Sequence, residues 1–455
     1  MMSEMRILSP TAILGYGFPR DSFERGLAAG PDAIAVDAGS TDPGPAYLGS
    51  GTCFVARQAV RRDLEILITS SLDAGIPLLI GTAGGSGAKP HVDWCVSLID
   101  EVLTANRLRA RVARIYSDVP KETVRRALRD DRIRPLPFGP PITDESVGRA
   151  SSIVAQIGVE PILRALEEPV DIVVAGRAYD PAIFAALPIR SGFDPGLATH
   201  MGKVLECAAI AATPGSGRDC VIGTIDREGF VLDTLSPLRN FTEESVAAHT
   251  LYEKAHPFRL PGPGGCLDVS GCRFRQVSDS AVEVTGSRFD ATAPYTLKLE
   301  GAALVGYRTI AIAGVRDRIM IKALDEVFDG VRSSVQDSFG SQSYQLNFRI
   351  YGKDGVMGPL EPEKAVSGHE VGIVFDVVAP TQDVADTICG LARSTALHYG
   401  YSGRIATAGN LAFPFSPSDI SAGPVYEFNV YHLMEVDEPE NMFPVERLTM
   451  GENGP

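Results

Sequence analysis

Three short apolar runs, Asp32–Val36, Ile76–Ile80 and Val170–Ala175, each stop at a loop crowded with glycine or charge. They are too short for buried helices, and the segments between them carry a different period. Arg57–Ala74 places Val60, Leu64, Leu67, Ile68 and Leu72 three to four residues apart, which makes one apolar stripe on a helix. Met5–Ser9 and Arg109–Tyr116 read as further strands. Arg20–Ala29, Val92–Asn106, Lys121–Arg129, Ile153–Leu166 and Met201–Ala212 read as helices. Strands alternating with helices are the pattern of βαβ units on a parallel sheet. The expected class is therefore α/β, with an N-terminal doubly wound, mostly parallel sheet over residues 1–214. A smaller α+β domain is expected over 215–455. There, Val221–Ile225, Ser280–Val284, Tyr307–Ala313 and Tyr344–Ile350 read as strands, and Arg318–Phe328 and Val384–His398 as helices. Residues 436–455 read as loosely ordered.

Composition excludes several partners. The 455 residues are 44% hydrophobic with mean hydropathy +0.05, as in a globular chain. Forty-two basic residues against 57 acidic give a net charge of −15. Nucleic acid and anionic membrane both demand a basic surface, so neither is an expected partner. A small anionic substrate is not excluded, because a few local donors suffice to hold one. No run approaches the ~20 apolar residues of a membrane span. The N-terminus carries an acid and precedes no long apolar region, so no signal peptide is expected. Seven cysteines with no CxxC pair fit a reduced, cytoplasmic setting.

Candidate site residues gather where strands end, because open α/β sheets bind ligands beyond the carboxyl ends of their strands. Asp37-Ala-Gly-Ser-Thr-Asp-Pro-Gly-Pro45 offers Asp37 and Asp42 for proton transfer and Ser40 and Thr41 for hydrogen bonding. The alternative is a turn whose side chains satisfy only their own backbone. Gly81–Gly87 resembles an anion loop, with Gly84, Gly85, Ser86 and Gly87 facing a ligand; the alternative is a plain tight turn. On the anion-loop reading, Gly85→Val should impair binding more than folding. The loop fits neither the P-loop nor the GxGxxG spacing, which argues against kinase and dehydrogenase chemistry. Arg177 suits a carboxylate or phosphate and Asp180 suits proton transfer, unless the two only clamp a turn.

His200, Lys203 and Cys207 share one helical face, with Glu206 three residues beyond Lys203. His200 and Cys207 lie ~10 Å apart along that axis, too far to share a metal ion. His91 and Cys95 lack a further ligand set, so no metal site is expected. Lys203 and Glu206 stand in an otherwise apolar segment, where an unpaired charge would be costly.

Asp37–Pro45, Gly176-Arg-Ala-Tyr-Asp180 and Met201-Gly-Lys-Val-Leu-Glu-Cys207, in this order, resemble the acyclic terpene utilisation family typified by AtuA. The resemblance extends over most of the chain and is clearest from about residue 5 to 350. Tyr179 stands where a smaller residue such as Thr is expected. The resemblance implies a part in the breakdown of branched isoprenoid acids through CoA thioesters.

The functional expectation is a lyase or hydratase, or a related isomerase, acting on a small carboxylic acid or acyl-CoA thioester. Asp37 or Asp42 would be the base, Lys203 or Arg177 the stabilising cation, and Glu206 the partner of Lys203. CoA enters only as part of the substrate, and no other cofactor is identified. A homo-oligomer is expected, with room for a small partner subunit. The alternative is a non-catalytic subunit that binds an acyl ligand and completes a partner enzyme.

Overall fold

The apolar runs pair as one ten-stranded sheet. The computed structural model describes residues 3–252, 256–363, 365–405 and 407–451. The strands are β1 (Met5–Ser9), β2 (Ala33–Asp37), β3 (Leu78–Gly81), β4 (Ala110–Ile115), β5 (Ile172–Ala175), β6 (Val221–Ile225), β7 (Gly229–Thr234), β8 (Arg273–Gln276), β9 (Ala281–Thr285) and β10 (Val445–Met450). They lie in the order β8-β9-β7-β6-β1-β2-β3-β5-β4-β10. β1, β2, β3, β5 and β4 are parallel, and every other pairing is antiparallel. The change in residue character after Gly215 marks this passage to antiparallel pairing, which begins where β6 joins β1. β5 inserts between β3 and β4, reversing the direction in which strands are added. Such a reversal opens a crevice beyond the strand ends.

Both faces of the parallel strands are covered, so their residues are apolar without alternation. On one face Ile34, Val36, Leu78, Ile80, Val112, Ile172 and Val174 pack with helices α1 (Arg20–Ala28), α2 (Arg57–Ala74) and α3 (Lys89–Ala105). The stripe Val60, Leu64, Leu67 and Ile68 of α2 is buried here, each side chain contributing about 1.5–3 kcal/mol. On the other face small residues, Ala33, Ala35, Ala113 and Ala175, receive α4 (Ala182–Arg190) and α5 (Pro195–Leu205). Asp194 caps α5, its Oδ1 accepting from the N–H groups of Gly196 and Leu197. At the other end, Ser9 Oγ donates to Leu205 O at 2.7 Å and ties α5 to β1.

The chain divides into two compact units, one of residues up to 303 with those from 428 onward, the other of residues 304–427. In the smaller unit Val371–Ala379 pairs antiparallel with Tyr307–Val315 on one side and Gln345–Tyr351 on the other. The helices Arg318–Phe339 and Gln382–His398 bury Val327, Phe328, Val331, Ile388 and Ala392 against Ile373 and Phe375.

Two local expectations are corrected. Ile153–Leu166 is not one helix: Ser152–Gln156 is a strand paired with Lys298–Ala302, and only Glu160–Ala165 is helical. Its β-branched start favours the pleated surface, and Gly158 and Pro161 break the helix on its N-terminal side. Residues 436–455 are not loose throughout, because β10 pairs with all of β4. Among the described residues, no helix is long and apolar enough to cross a membrane.

Candidate active site

β2, β3 and β5 end side by side at Asp37, Gly81 and Ala175. The loops beyond them meet the C-terminal turn of α5 in one buried charged cluster. Asp37 is the last residue of β2 and is 7% exposed. Its Oδ1 accepts from Ala38 N–H at 2.9 Å and stands against Gly81, where a Cβ would come within 3.3 Å of it. Burial first, then the nearby Asp180 carboxylate, lift the Asp37 carboxyl well above the usual carboxylate range. Arg177 opposes that shift and Glu206 adds to it.

Arg177 follows β5 and is 2% exposed. Its backbone N–H donates to Ser117 Oγ at 2.6 Å. Its Nε donates to Glu300 Oε2 at 2.8 Å, and its Nη1 donates to Asp180 Oδ1 at 2.8 Å and to Ala178 O at 2.6 Å. Glu300 is fully buried and also pairs with Lys298 Nζ at 2.6 Å, an ammonium that lies over the Tyr431 ring. Burial alone would raise the Glu300 carboxyl, yet Arg177 and Lys298 hold it down at about 2. Asp180, with its side chain 28% exposed, is more open than Arg177 or Glu300.

The loop after β3 is buried throughout, and packing accounts for its glycines. A Cβ on Gly87 would lie 2.1 Å from Arg177 N, and one on Gly39 would lie 2.7 Å from Gly85 Cα. The N–H groups of Ala83, Gly85 and Gly87 donate to Ala175 O, Thr82 O and Ala83 O. These amides therefore hold the loop closed. Ser86 Oγ is sealed inside the protein with no hydrogen-bond partner among the described residues. Thr82 adopts φ +43°, a left-handed angle unusual for a β-branched residue. Its Oγ1 accepts from Ala178 N–H at 3.3 Å and from Arg177 Nη1 at 3.5 Å. The expectation that Gly85→Val would impair binding more than folding meets a steric objection: φ there is +106°, and a Cβ would stand 2.5 Å from that of Phe54.

α5 supplies the second ion pair. Lys203 Nζ donates to Glu206 Oε1 at 2.5 Å, with the two residues 2% and 6% exposed, and lies 4.9 Å from the Tyr252 ring centroid. Burial pulls the Lys203 ammonium down, but Glu206 outweighs it and the net shift is upward. His200, one turn earlier, has another task. Thr250 Oγ1 donates to Val246 O, so it accepts from His200 Nε2–H at 2.8 Å. His200 Nδ1 then accepts from Ser287 Oγ at 2.8 Å. Burial, with Lys203 adding to it, drops the imidazole to about 3, so it is a neutral link between elements near pH 7.

The structure thus brings together Asp37, Arg177, Asp180, Lys203 and Glu206. It sets the other half of the β2 loop apart. Asp42 is exposed, Ser40 Oγ donates to Asp42 Oδ2 at 2.6 Å, and Asp42 N–H returns to Ser40 Oγ, while Thr41 is buried. Among the described residues, no group of three or more His, Cys, Asp or Glu side chains is arranged to hold a metal ion.

A family model described as "Acyclic terpene utilisation family protein AtuA" matches residues 57–410. The chain belongs to the AtuA family. Arg177, Asp180, Lys203, Glu206 and Glu300 all fall within the matched span of this AtuA-family chain, whereas Asp37 lies ahead of it. Neither the curated proteins nor the solved structures offer a match. Sequence reasoning missed Glu300 and Lys298. Their spacing of two within an apolar strand, which puts both on one face, is the signal that could have found them.

Proposed function

We propose that this AtuA-family chain is a lyase of the hydratase type, or a related isomerase, acting on a small branched carboxylic acid or its CoA thioester. One observation carries the reading. Asp37 is a buried carboxyl at a strand end whose proton affinity is raised by burial and by Asp180, beside the cations Arg177 and Lys203. Addition of water next to a carbonyl needs a proton at the α-carbon and a cation facing the enolate oxygen. In the hydration direction, the water oxygen bonds to the β-carbon, protonated Asp37 gives its proton to the α-carbon, and the proton lost by the water returns to the Asp37 carboxylate. In elimination, the same carboxylate takes the α-proton back. Positioned proton transfer of this kind contributes ~10²–10⁴-fold in rate. Arg177 is the cation assigned to the enolate oxygen, since its pairs with Glu300 and Asp180 use Nε and Nη1 and leave Nη2 without a bond to a described residue.

The test is incubation of the purified chain with 3-methylbut-2-enoic acid and with its CoA thioester, followed by mass spectrometry. A mass gain of one water supports the reading, and absence of turnover with both compounds contradicts it. A second reading, a non-catalytic subunit that binds an acyl ligand and completes a partner enzyme, is favoured by the closure of the cluster. None of Asp37, Arg177, Lys203 and Glu206 is more than 7% exposed. Co-purified acyl ligand in native mass spectra, with turnover only after a partner is added, would favour that second reading.

A further inference from the structure

The buried guanidinium of Arg177 is held at one end only. Its hydrogen bonds leave from Nε, to Glu300, and from Nη1, to Asp180, Ala178 and Thr82. None leaves from Nη2 to a described residue. A guanidinium carries five N–H donors in a fixed fork, and Nη2 is not among the sealed polar atoms, so its two donors face accessible space. Around it, each cation already has its acid: Lys298 pairs with Glu300, Lys203 with Glu206, and Arg177 bridges Glu300 and Asp180. The clamp is also built at a strained point, since Thr82 holds Nη1 and the Ala178 amide from a left-handed backbone angle.

We infer that Glu300 is a positioning residue that fixes Arg177 so that Nη2 receives one carboxyl-derived oxygen, either of a carboxylate or of a thioester carbonyl. The inference deepens the function proposed above and rests on it for the identity of the site. It also narrows the ligand class. A second carboxylate would find no further donor, since Lys298, Lys203 and the other nitrogens of Arg177 are each committed to an acid. The site therefore takes compounds with a single carboxyl-derived group and rejects dicarboxylates.

The test is isothermal titration calorimetry on the full chain with 3-methylbut-2-enoate, with its CoA thioester, and with succinate. The wild type should bind the first or the second, which separates the two oxygen sources, and should not bind succinate. Arg177→Lys keeps the charge and removes Nη2, and should weaken binding about tenfold or more. Glu300→Gln alone strands Lys298, takes one of its two acids from Arg177 and risks unfolding. The double variant Lys298→Gln with Glu300→Gln conserves net charge and is the second probe. Its melting temperature should stay within a few degrees of wild type while binding weakens by a similar factor. Wild-type affinity in both variants would overturn the inference, as would tight succinate binding or a wild type that binds neither monocarboxyl probe. A double variant that loses melting temperature but not affinity would make Glu300 merely structural and overturn its assigned role. Wild-type binding without turnover would count against the proposed reaction and leave the anchor standing.

Discussion

Replacing Asp37 by Asn separates a carboxyl that holds a proton from one that holds a charge. The Asp37 carboxyl is lifted well above its ordinary value by burial and by Asp180. Between the unfolded value, roughly 3.9, and that raised value, the native state keeps a proton that the unfolded chain releases. The native state then binds more protons than the unfolded state, so this group makes stability fall as pH rises. The stability is fully present below the unfolded value and is lost as pH climbs through the native one. The slope reaches about 1.4 kcal/mol per pH unit wherever the two states differ by a full proton. Asn is nearly isosteric, can still accept from Ala38 N–H, and has no charge to repel Asp180 or Glu206. Asp37→Asn should therefore match the wild type near pH 4 and become progressively more stable than it as pH rises. Urea unfolding of both proteins across a pH series rising from about 4, the unfolded carboxyl value, reads the difference directly, and shifts from other carboxyls largely cancel. A stability difference that stays flat across that range would refute the assignment of a protonated, buried Asp37.

Other substitutions have equally definite outcomes. Lys203→Met leaves Glu206 buried without its ammonium and should cost about 3–5 kcal/mol by scanning calorimetry; adding Glu206→Gln should recover most of it. Gly85→Val should abolish folding rather than binding, seen as loss of folded yield and of the native circular dichroism spectrum, because neither its backbone angle nor the contact with Phe54 admits a side chain. Asp42→Asn touches only an exposed turn and should change stability by less than ~0.5 kcal/mol in the same calorimetry, with turnover close to wild type.

The parallel sheet was legible because each of its central strands is apolar on both faces. A run such as Asp32–Val36 can then be read without knowing its neighbours. Arg57–Ala74 was legible to the residue from its apolar spacing, and the bounds read for Lys121–Arg129 also match its helix. Where strand formation depends on a distant partner, local pattern failed. Ser152–Gln156 becomes a strand through Lys298–Ala302, and Val445–Met450 through β4. The same distinction runs through the site. Asp37, Arg177, Lys203 and Glu206 stood out because a charge beside an apolar run is locally anomalous. The burial of Asp37 and exposure of Asp42 were not legible, because both sit in one polar loop and only folding separates them. Nor could the loop after β3 be resolved from its glycines, which suit an anion and a tight packing contact equally well. The close approaches to Arg177, Phe54 and Gly39 show the packing contact, which local sequence does not contain.

The most direct test of a catalytic role for this cluster is the rate at which wild type and Asp37→Asn convert 3-methylbut-2-enoyl-CoA to its hydrated product. It should be followed by mass spectrometry at neutral pH, with melting temperatures recorded on the same samples. The predicted result is a loss of at least ~100-fold in rate with a melting temperature equal to or above that of the wild type. A wild-type rate in the Asp37→Asn protein would contradict the account.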